Sequence, residues 1–362
     1  MAGVDPEKIR KLRTRIDGLD EKIQALITER AQIAVDVAKA KASAGANNFY
    51  RPEREAEVLS KVMARHQGPL AAEEMARLFR EIMSACLALE SRLRVAFLGP
   101  EGTFTQAAAL KHFGHSIETV PLASIGDVFR EVESGSANFG VVPVENSTEG
   151  VINHTLDMFV GSPLRICGEV DLRVHHYLLA RDEEWEAAIK IVSHQQSLAQ
   201  CREWLDANYP GVERVPVSSN AEAARIASQQ SGVLAIASDS AAQIYGLKII
   251  ASKIEDKPDN TTRFLVIGKL DAGRSGSDKT TVIVSGKNRP GSLFRLLTPL
   301  ARGKINMTRI ESRPSRRMQW EYVFFIDVDG HIKDARVARA LKALEKESAF
   351  FKWLGSYPKA VL

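Results

Sequence analysis

Apolar residues are spaced in three different ways along the chain, and each spacing predicts a different kind of domain. From residue 5 to about 92 the spacing is helical. Ile9, Leu12, Ile16, Leu19, Ile23, Leu26, Ile33 and Val37 follow one another mostly by threes and fours, which is the seam of a packed helix. Asp5-Pro6 supplies a cap and a proline at the first helical position, and no glycine or proline interrupts the run between Leu19 and Ala44. A helix of about 40 residues is about 60 Å long. So small a segment cannot cover it, which predicts a second chain against the seam. Gly45 to Asn48 end this helix, Pro52 opens a second, Gly68-Pro69 close it, and a third runs from about Ala71 to Arg92.

Past Arg94 the pattern becomes short apolar runs alternating with amphipathic helices. Arg94–Leu98, Phe139–Val144, Ile166–Val170, His176–Ala180, Ile189–Val192, Val212–Val217, Val233–Ala237 and Phe264–Ile267 read as strands, the signature of an α/β domain. Its length suits two lobes around a cleft. Residues 271–278 read as a flexible polar linker. Beyond them the order is strand (Thr280–Ser285), helix (Ser292–Arg302), two strands (Ile305–Arg313, Tyr322–Asp327), helix (Ala335–Glu347) and a strand near Phe351–Ser356, the ferredoxin-like α+β arrangement. The expected domains are thus 1–92, 93–270 and 279–362.

Composition narrows the class. With 362 residues the chain exceeds one core. A net charge of +4 lacks the concentrated basic patch of a nucleic-acid binder. Cys86, Cys167 and Cys201 have no metal-ligand spacing. No metal or cofactor is expected, no apolar run reaches the roughly 20 residues of a membrane span, and the N-terminus does not read as a signal peptide. The expected location is the cytoplasm.

Two cations break the helical seam. Arg30 sits seven residues after Ile23 and seven before Val37, and Lys41 lies eleven further on, on nearly the same face. Buried cations need a negative partner, and a small dicarboxylate would serve; Arg30 by itself could equally snorkel or pair with a glutamate of the protein. Arg13 is about 25 Å from Arg30 along the axis, so only an antiparallel partner helix could bring it to the same ligand. Leu12-Arg13, Glu29-Arg30, Lys39-Ala40-Lys41 and Arg51-Pro52-Glu53-Arg54-Glu55 resemble the all-helical chorismate mutases. The resemblance implies a swapped dimer in which Arg30 and the other chain's Arg13 hold the two carboxylates of chorismate. Lys41 then donates to the ether oxygen, and Glu55, beside Arg54, binds the ring hydroxyl. Arg51 and Cys86 stand where that family often has aspartate and serine, and Glu90 where many members have glutamine. A carboxyl there can donate only when protonated, a state that burial favours.

In the middle domain, Gly99-Pro100-Glu101-Gly102-Thr103-Phe104 joins a strand to a helix, a place that suits anions. Glu145 and Asn146 follow a buried-type strand, His176 starts another, and Ser193-His194-Gln195-Gln196-Ser197 ends a third. Asp259-Asn260-Thr261-Thr262-Arg263-Phe264 sets a hydroxyl, a guanidinium and a ring together. These four motifs, in this order, resemble prephenate dehydratase. The resemblance makes Thr262 the essential proton donor for the departing ring hydroxyl. It places Arg263 and the turn amides on carboxylate, and Glu145, Asn146, His176, Gln195 and Ser197 in the cleft.

Asn288-Arg289-Pro290-Gly291-Ser292-Leu293 and Ile310-Glu311-Ser312-Arg313-Pro314 resemble the ACT regulatory domain, which implies L-phenylalanine bound near Asn288, Gly291, Ser292, Leu293, Glu311, Ser312 and Arg313 at a subunit interface. The chain as a whole resembles the bifunctional chorismate mutase/prephenate dehydratases. That implies successive conversion of chorismate and prephenate, feedback by L-phenylalanine and a homodimer or higher oligomer, with no nucleic-acid or membrane partner. The competing class is a non-catalytic metabolite sensor, which need not carry Thr262 together with Arg30 and Lys41.

Overall fold

The structure, a computed structural model, describes residues 6–43, 50–182, 185, 188–286, 289–314 and 322–361. The N-terminal segment forms α1 (Pro6–Ser43), α2 (Pro52–Arg65) and α3 (Ala72–Glu90). Helix α1 lies mainly against α3 and leaves its seam open: Leu12, Ile16, Leu19, Ile23, Leu26, Ile33 and Val37 are all exposed within this single chain.

The chain then builds one lobe from β1 (Arg94–Leu98), α4 (Phe104–Phe113), β2 (Glu118–Leu122), α5 (Ile125–Ser134), β3 (Phe139–Asn146), β4 (Gly150–Val151), α6 (Asn153–Gly161) and β5 (Arg165–Arg173). It crosses into a second lobe of β6 (Tyr177–Ala180), β7 (Lys190–His194), α7 (Gln195–Gln200), α8 (Arg202–Asn208), β8 (Glu213–Val217), α9 (Asn220–Gln229), β9 (Val233–Ala237), α10 (Asp239–Ile244) and β10 (Lys248–Ser252). Strand β11 (Thr261–Gly268) returns to the first lobe. There it pairs antiparallel with β3 on one side and β5 on the other, in a sheet ordered β2-β1-β3-β11-β5. The second sheet is ordered β10-β6-β9-β7-β8. The two-lobed expectation holds. The sequence reading missed β2 and β10, both at sheet edges. An edge strand needs no continuous apolar run and tolerates Pro121.

The C-terminal domain is β12 (Asp278–Ser285), α11 (Ser292–Arg302), β13 (Met307–Pro314), β14 (Tyr322–Asp329), α12 (Ala335–Glu347) and β15 (Phe350–Pro358), with an antiparallel sheet ordered β13-β14-β12-β15. The expected element order is observed.

Residues 271–277 do not form the expected loose tether. Ala272 is buried, its carbonyl accepts from His331 Nε2 at 3.1 Å, and the Ser275 and Gly276 N–H groups donate to the Asp278 carboxylate. The reason lies in the packing on either side. One apolar cluster contains Val142, Val144, Leu265 and Ile267 of the first lobe together with Ile283, Phe325, Leu354 and Tyr357 of the C-terminal domain, so these two domains share a core.

The helices are seated on the first lobe through Tyr50, which is buried against Phe113 and Phe139 and hydrogen-bonds His112 Nε2 at 3.0 Å. Arg80 donates to the Lys111 carbonyl at 2.6 Å and to Glu55 at 3.2 Å. Burial, with the nearby Arg80 charge, holds His112 down to about 3.

Two outcomes follow from this packing. Phe325→Ala cuts into the shared core and should cost about 3–5 kcal/mol; circular dichroism and tryptophan fluorescence should report a single, earlier unfolding transition in denaturant. The unfolded chain protonates His112 near its ordinary 6.5, whereas the folded chain resists. Stability is therefore complete above about 6.5 and declines as the pH falls from there toward 3. Thermal melts across this range should show that slope, reduced in His112→Gln.

Candidate active site

Between the two lobes lies a cavity of about 740 Å³. The first lobe contributes Leu98, Thr103, Phe104, Asn146, Glu149, Asn260 and Thr262 to its wall, and the second contributes His176, His194, Gln196, Ser197, Gln200, Ser219 and Asn220. Thr262 is buried at the start of β11, directly across from Asn146 on β3.

The hydrogen bonds here have a polarity that can be read from one end to the other. Asn146 Oδ1 accepts from the backbone N–H groups of Thr148 and Glu149, both at 3.0 Å. Backbone N–H groups only donate, so the Asn146 amide must turn its Nδ2 the other way. There it donates to Thr262 Oγ1 and to Asn260 Oδ1, each at 2.8 Å. Asn260 Nδ2 in turn donates to Gln200 Oε1 at 3.1 Å. The same oxygen accepts from His176 Nε2 at 2.8 Å. Thr262 thus accepts from Asn146, and its own proton is left for a molecule in the cleft. His176 is buried and therefore held below the usual histidine range, neutral, with Nδ1 bare and without a hydrogen-bond partner.

Among the described residues, no lysine or arginine lines the cavity. Positive potential comes instead from helix starts. Thr103 caps α4, and Ser219 caps α9, accepting from Glu222 N at 3.0 Å. The first N–H groups of a helix have no intrahelical partner and attract anions. Gly102 N is already taken by Gln106 Oε1 at 2.7 Å, so that turn amide is not free to grip a carboxylate.

Three expected cleft residues lie elsewhere. Neighbouring residues on a strand point to opposite faces, and Glu145 and Arg263 point away from the faces of Asn146 and Thr262. Arg263 donates to Asp327 at 2.7 Å, to Glu169 at 2.9 Å and to the Tyr357 hydroxyl at 3.1 Å. Glu145 pairs with Arg309 of β13 at 2.9 Å. Both therefore face the C-terminal domain. Gln195 is exposed at the first position of α7 and absent from the wall; Gln196, Ser197 and Gln200 occupy it. Asn146, His176, Ser197 and Thr262 line the cavity. The sequence reading missed Asn260, Gln200, Glu149 and Asn220. Asn260 was legible as the polar neighbour of the Thr-Arg-Phe run. Gln200 lies one helical turn after Gln196 and could have been found by that spacing.

The helical segment holds a second group. Lys41 lies 3.7 Å from Glu90 Oε2, which is buried and makes no hydrogen bond. Within this single chain a glutamate carboxylate is thus the negative group beside Lys41. Cys86 is a buried free thiol. Arg13 is about 40 Å along α1 from Lys41 at 1.5 Å per residue, which keeps it from the same ligand within one chain. Arg30 is half-buried. Arg51 pairs with Glu53 at 2.8 Å and Arg54 with Glu57 at 2.7 Å. Glu55, expected on the ring hydroxyl, is engaged by the buried Arg80 at the junction with the first lobe.

In the C-terminal domain, Gly291 is left-handed (φ 74°) and precedes Ser292, the first residue of α11. Leu293 is exposed. Glu311 and Ser312 lie on the edge strand β13. Arg313 is turned to Asp157 of α6, with contacts of 3.0 and 3.1 Å, so its guanidinium joins the two domains instead of facing a free site. Asn288 lies outside the described residues.

Comparison with known proteins agrees with the three-part layout. Residues 12–91 match the family model chorismate mutase type II, 95–272 prephenate dehydratase and 280–346 the ACT domain. The chain is 56% identical to the bifunctional chorismate mutase/prephenate dehydratase of Stutzerimonas stutzeri, over 99% of this chain and 100% of that one. Among solved structures it resembles the prephenate dehydratase of Arthrobacter aurescens in complex with L-Phe (TM-score 0.69, 37% identity, 74% of this chain and 90% of that one). It also resembles the quorum-quenching acylase GqqA (TM-score 0.68, 29% identity, 74% and 98%). With three domain matches in sequence and a full-length relative, this chain belongs to the bifunctional chorismate mutase/prephenate dehydratases.

Proposed function

We propose that the inter-lobe cleft dehydrates and decarboxylates prephenate with Thr262 as the proton donor, and that L-phenylalanine bound to the ACT domain inhibits this step. The observation that carries the first part is the Asn146 amide donating to Thr262 Oγ1, which leaves the hydroxyl proton for the leaving group. A threonine hydroxyl is a weak acid, so it acts as a fixed hydrogen-bond donor to the departing hydroxide while aromatisation supplies the driving force. The starts of α4 and α9 hold the substrate carboxylates. An acylase on this scaffold would need an activated nucleophile. Among the described residues, no hydroxyl of the cleft wall hydrogen-bonds a histidine ring, which favours dehydration.

The mutase reading places chorismate between Arg30, Lys41 and Glu90 of one chain and Arg13 of another. The exposed seam of α1 supports it, since a second copy of that helix would cover Leu12 to Val37. Such a site works by positioning and charge, with no nucleophile. Among the described residues, no helix is long and apolar enough to cross a membrane.

Support for feedback is geometric. Thr262 and Asn146 face the cleft, while their strand neighbours Arg263 and Glu145 are gripped by Asp327 and Arg309 of the ACT domain. A shift of β13 and β14 on L-phenylalanine binding thereby displaces the two strands that carry the cleft residues. Cutting the chain after Leu270 would strip the shared core, so point changes test the idea better.

Thr262→Ala should lower phenylpyruvate formation from prephenate by about 10²-fold or more and leave chorismate consumption unaltered; dehydration at the wild-type rate would refute the assignment. Asp327→Asn should raise the L-phenylalanine concentration for half-inhibition by about fivefold or more, with uninhibited turnover largely kept. An inhibition curve superimposable on wild type would sever the ACT domain from the cleft by this route.

A further inference from the structure

We infer that Asn260, to which the reading above gives no part, is a positioning residue for dehydration: it ties Asn146, the partner of Thr262 on the first lobe, to Gln200 on the second and so sets how the two lobes close around the substrate. The inference rests on Thr262 being the donor.

Asn260 sits where the chain comes back from the second lobe to the first. Its backbone carbonyl accepts from Val174 N at 2.8 Å, on the segment where the chain first crosses over. Its side chain is almost fully buried, at 3% exposure. The two ends of its amide do different work. Oδ1 takes one Nδ2 proton of Asn146, whose other donation goes to Thr262. Nδ2 gives a proton to Gln200 Oε1, on the second lobe. Only a group that accepts on one side and donates on the other satisfies both neighbours. Asn146 cannot reverse, because its oxygen is held by two backbone N–H groups. Gln200 keeps its oxygen toward Asn260 and His176, with its Nε2 3.4 Å from Glu149. A reversed or purely accepting group at 260 would turn the Gln200 amide over. His176 Nε2 would then lose its acceptor, and the two lobes would be held in a different register around the substrate.

The test is Asn260→Asp in the full-length chain, with chorismate mutase activity as the internal measure of folding. An ionised carboxylate still accepts from Asn146 but cannot donate to Gln200; a protonated one can do both. At neutral pH we expect kcat for prephenate to fall roughly tenfold or more, part of the 10²–10⁴-fold that a positioned donor supplies, with KM little altered. Glu149, His176 and Glu255 face the same network in variant and wild type alike, so the quantity to follow is the ratio of variant to wild-type kcat. It should rise as the pH is lowered through the titration of the introduced carboxyl. A ratio independent of pH, or a loss confined to KM, would overturn the inference.

If N260D disturbs folding, Asn146→Asp probes the same polarity one bond along. Its carboxylate would accept a hydrogen bond from the Thr262 hydroxyl at neutral pH, and once protonated it could donate to Thr262 Oγ1 as the amide does. A pH-independent ratio there would be equally fatal. Thr262→Ala is run alongside. Dehydration surviving that change defeats the reading of Thr262 itself, whereas a dead T262A beside an N260D of wild-type kcat defeats only the inference about Asn260.

Discussion

The antiparallel register of β3 against β11 is the constraint on which the other features rest. It sets Asn146 across from Thr262 and Glu145 across from Arg263. Because strand neighbours point to opposite faces, one pair is delivered to the cleft and the other to the ACT domain. A slip of one residue would exchange them. The register is held from behind by a charge-balanced cluster in which Arg263 and Lys279 meet Glu169 and Asp327. Thr281 and the Tyr357 hydroxyl complete the hydrogen bonds. Buried charges are tolerable only when paired and hydrogen-bonded in this way, so the cluster specifies one docking of the two domains more than it adds stability.

On the cleft side the same register produces an ordered chain of amides. Its direction starts from two backbone N–H groups in the turn after β3 and ends at a histidine kept neutral by burial. Binding a doubly negative acid with no cationic side chain in the wall among the described residues is consistent with this design. Helix starts and oriented amides are fixed dipoles that need no reorganisation.

The helical segment follows different physics. Among the described residues its long helix leaves an apolar stripe exposed, and several of the segment's cations are drawn into local pairs with glutamates. Lys41 with Glu90 and Arg80 with Glu55 are both arrangements of a single chain, and a dianion arriving between two copies of α1 would compete with the first of them.

Much of the architecture was legible without coordinates. Helical spacing from Ile9 to Val37, alternating apolar runs past Arg94 and the strand-helix-strand order past Thr280 each report local geometry, and local geometry follows from which neighbours are apolar. The motif resemblance likewise implied Asn146, His176, Ser197 and Thr262 as cleft groups, and these four line the cavity. The face on which each side chain stands was decided only in three dimensions. Glu145 and Arg263 carry the right chemistry for an anion site, yet a neighbouring position on a strand sends them to Arg309 and Asp327. The tether at 271–277 is polar enough to float, but a core shared across it holds both ends. Asn260, Gln200 and Asn220 come from distant stretches and meet only where the lobes do. Spacing along a chain encodes periodicity; which surfaces end up buried against each other depends on contacts between residues far apart in sequence, and those arise from packing alone.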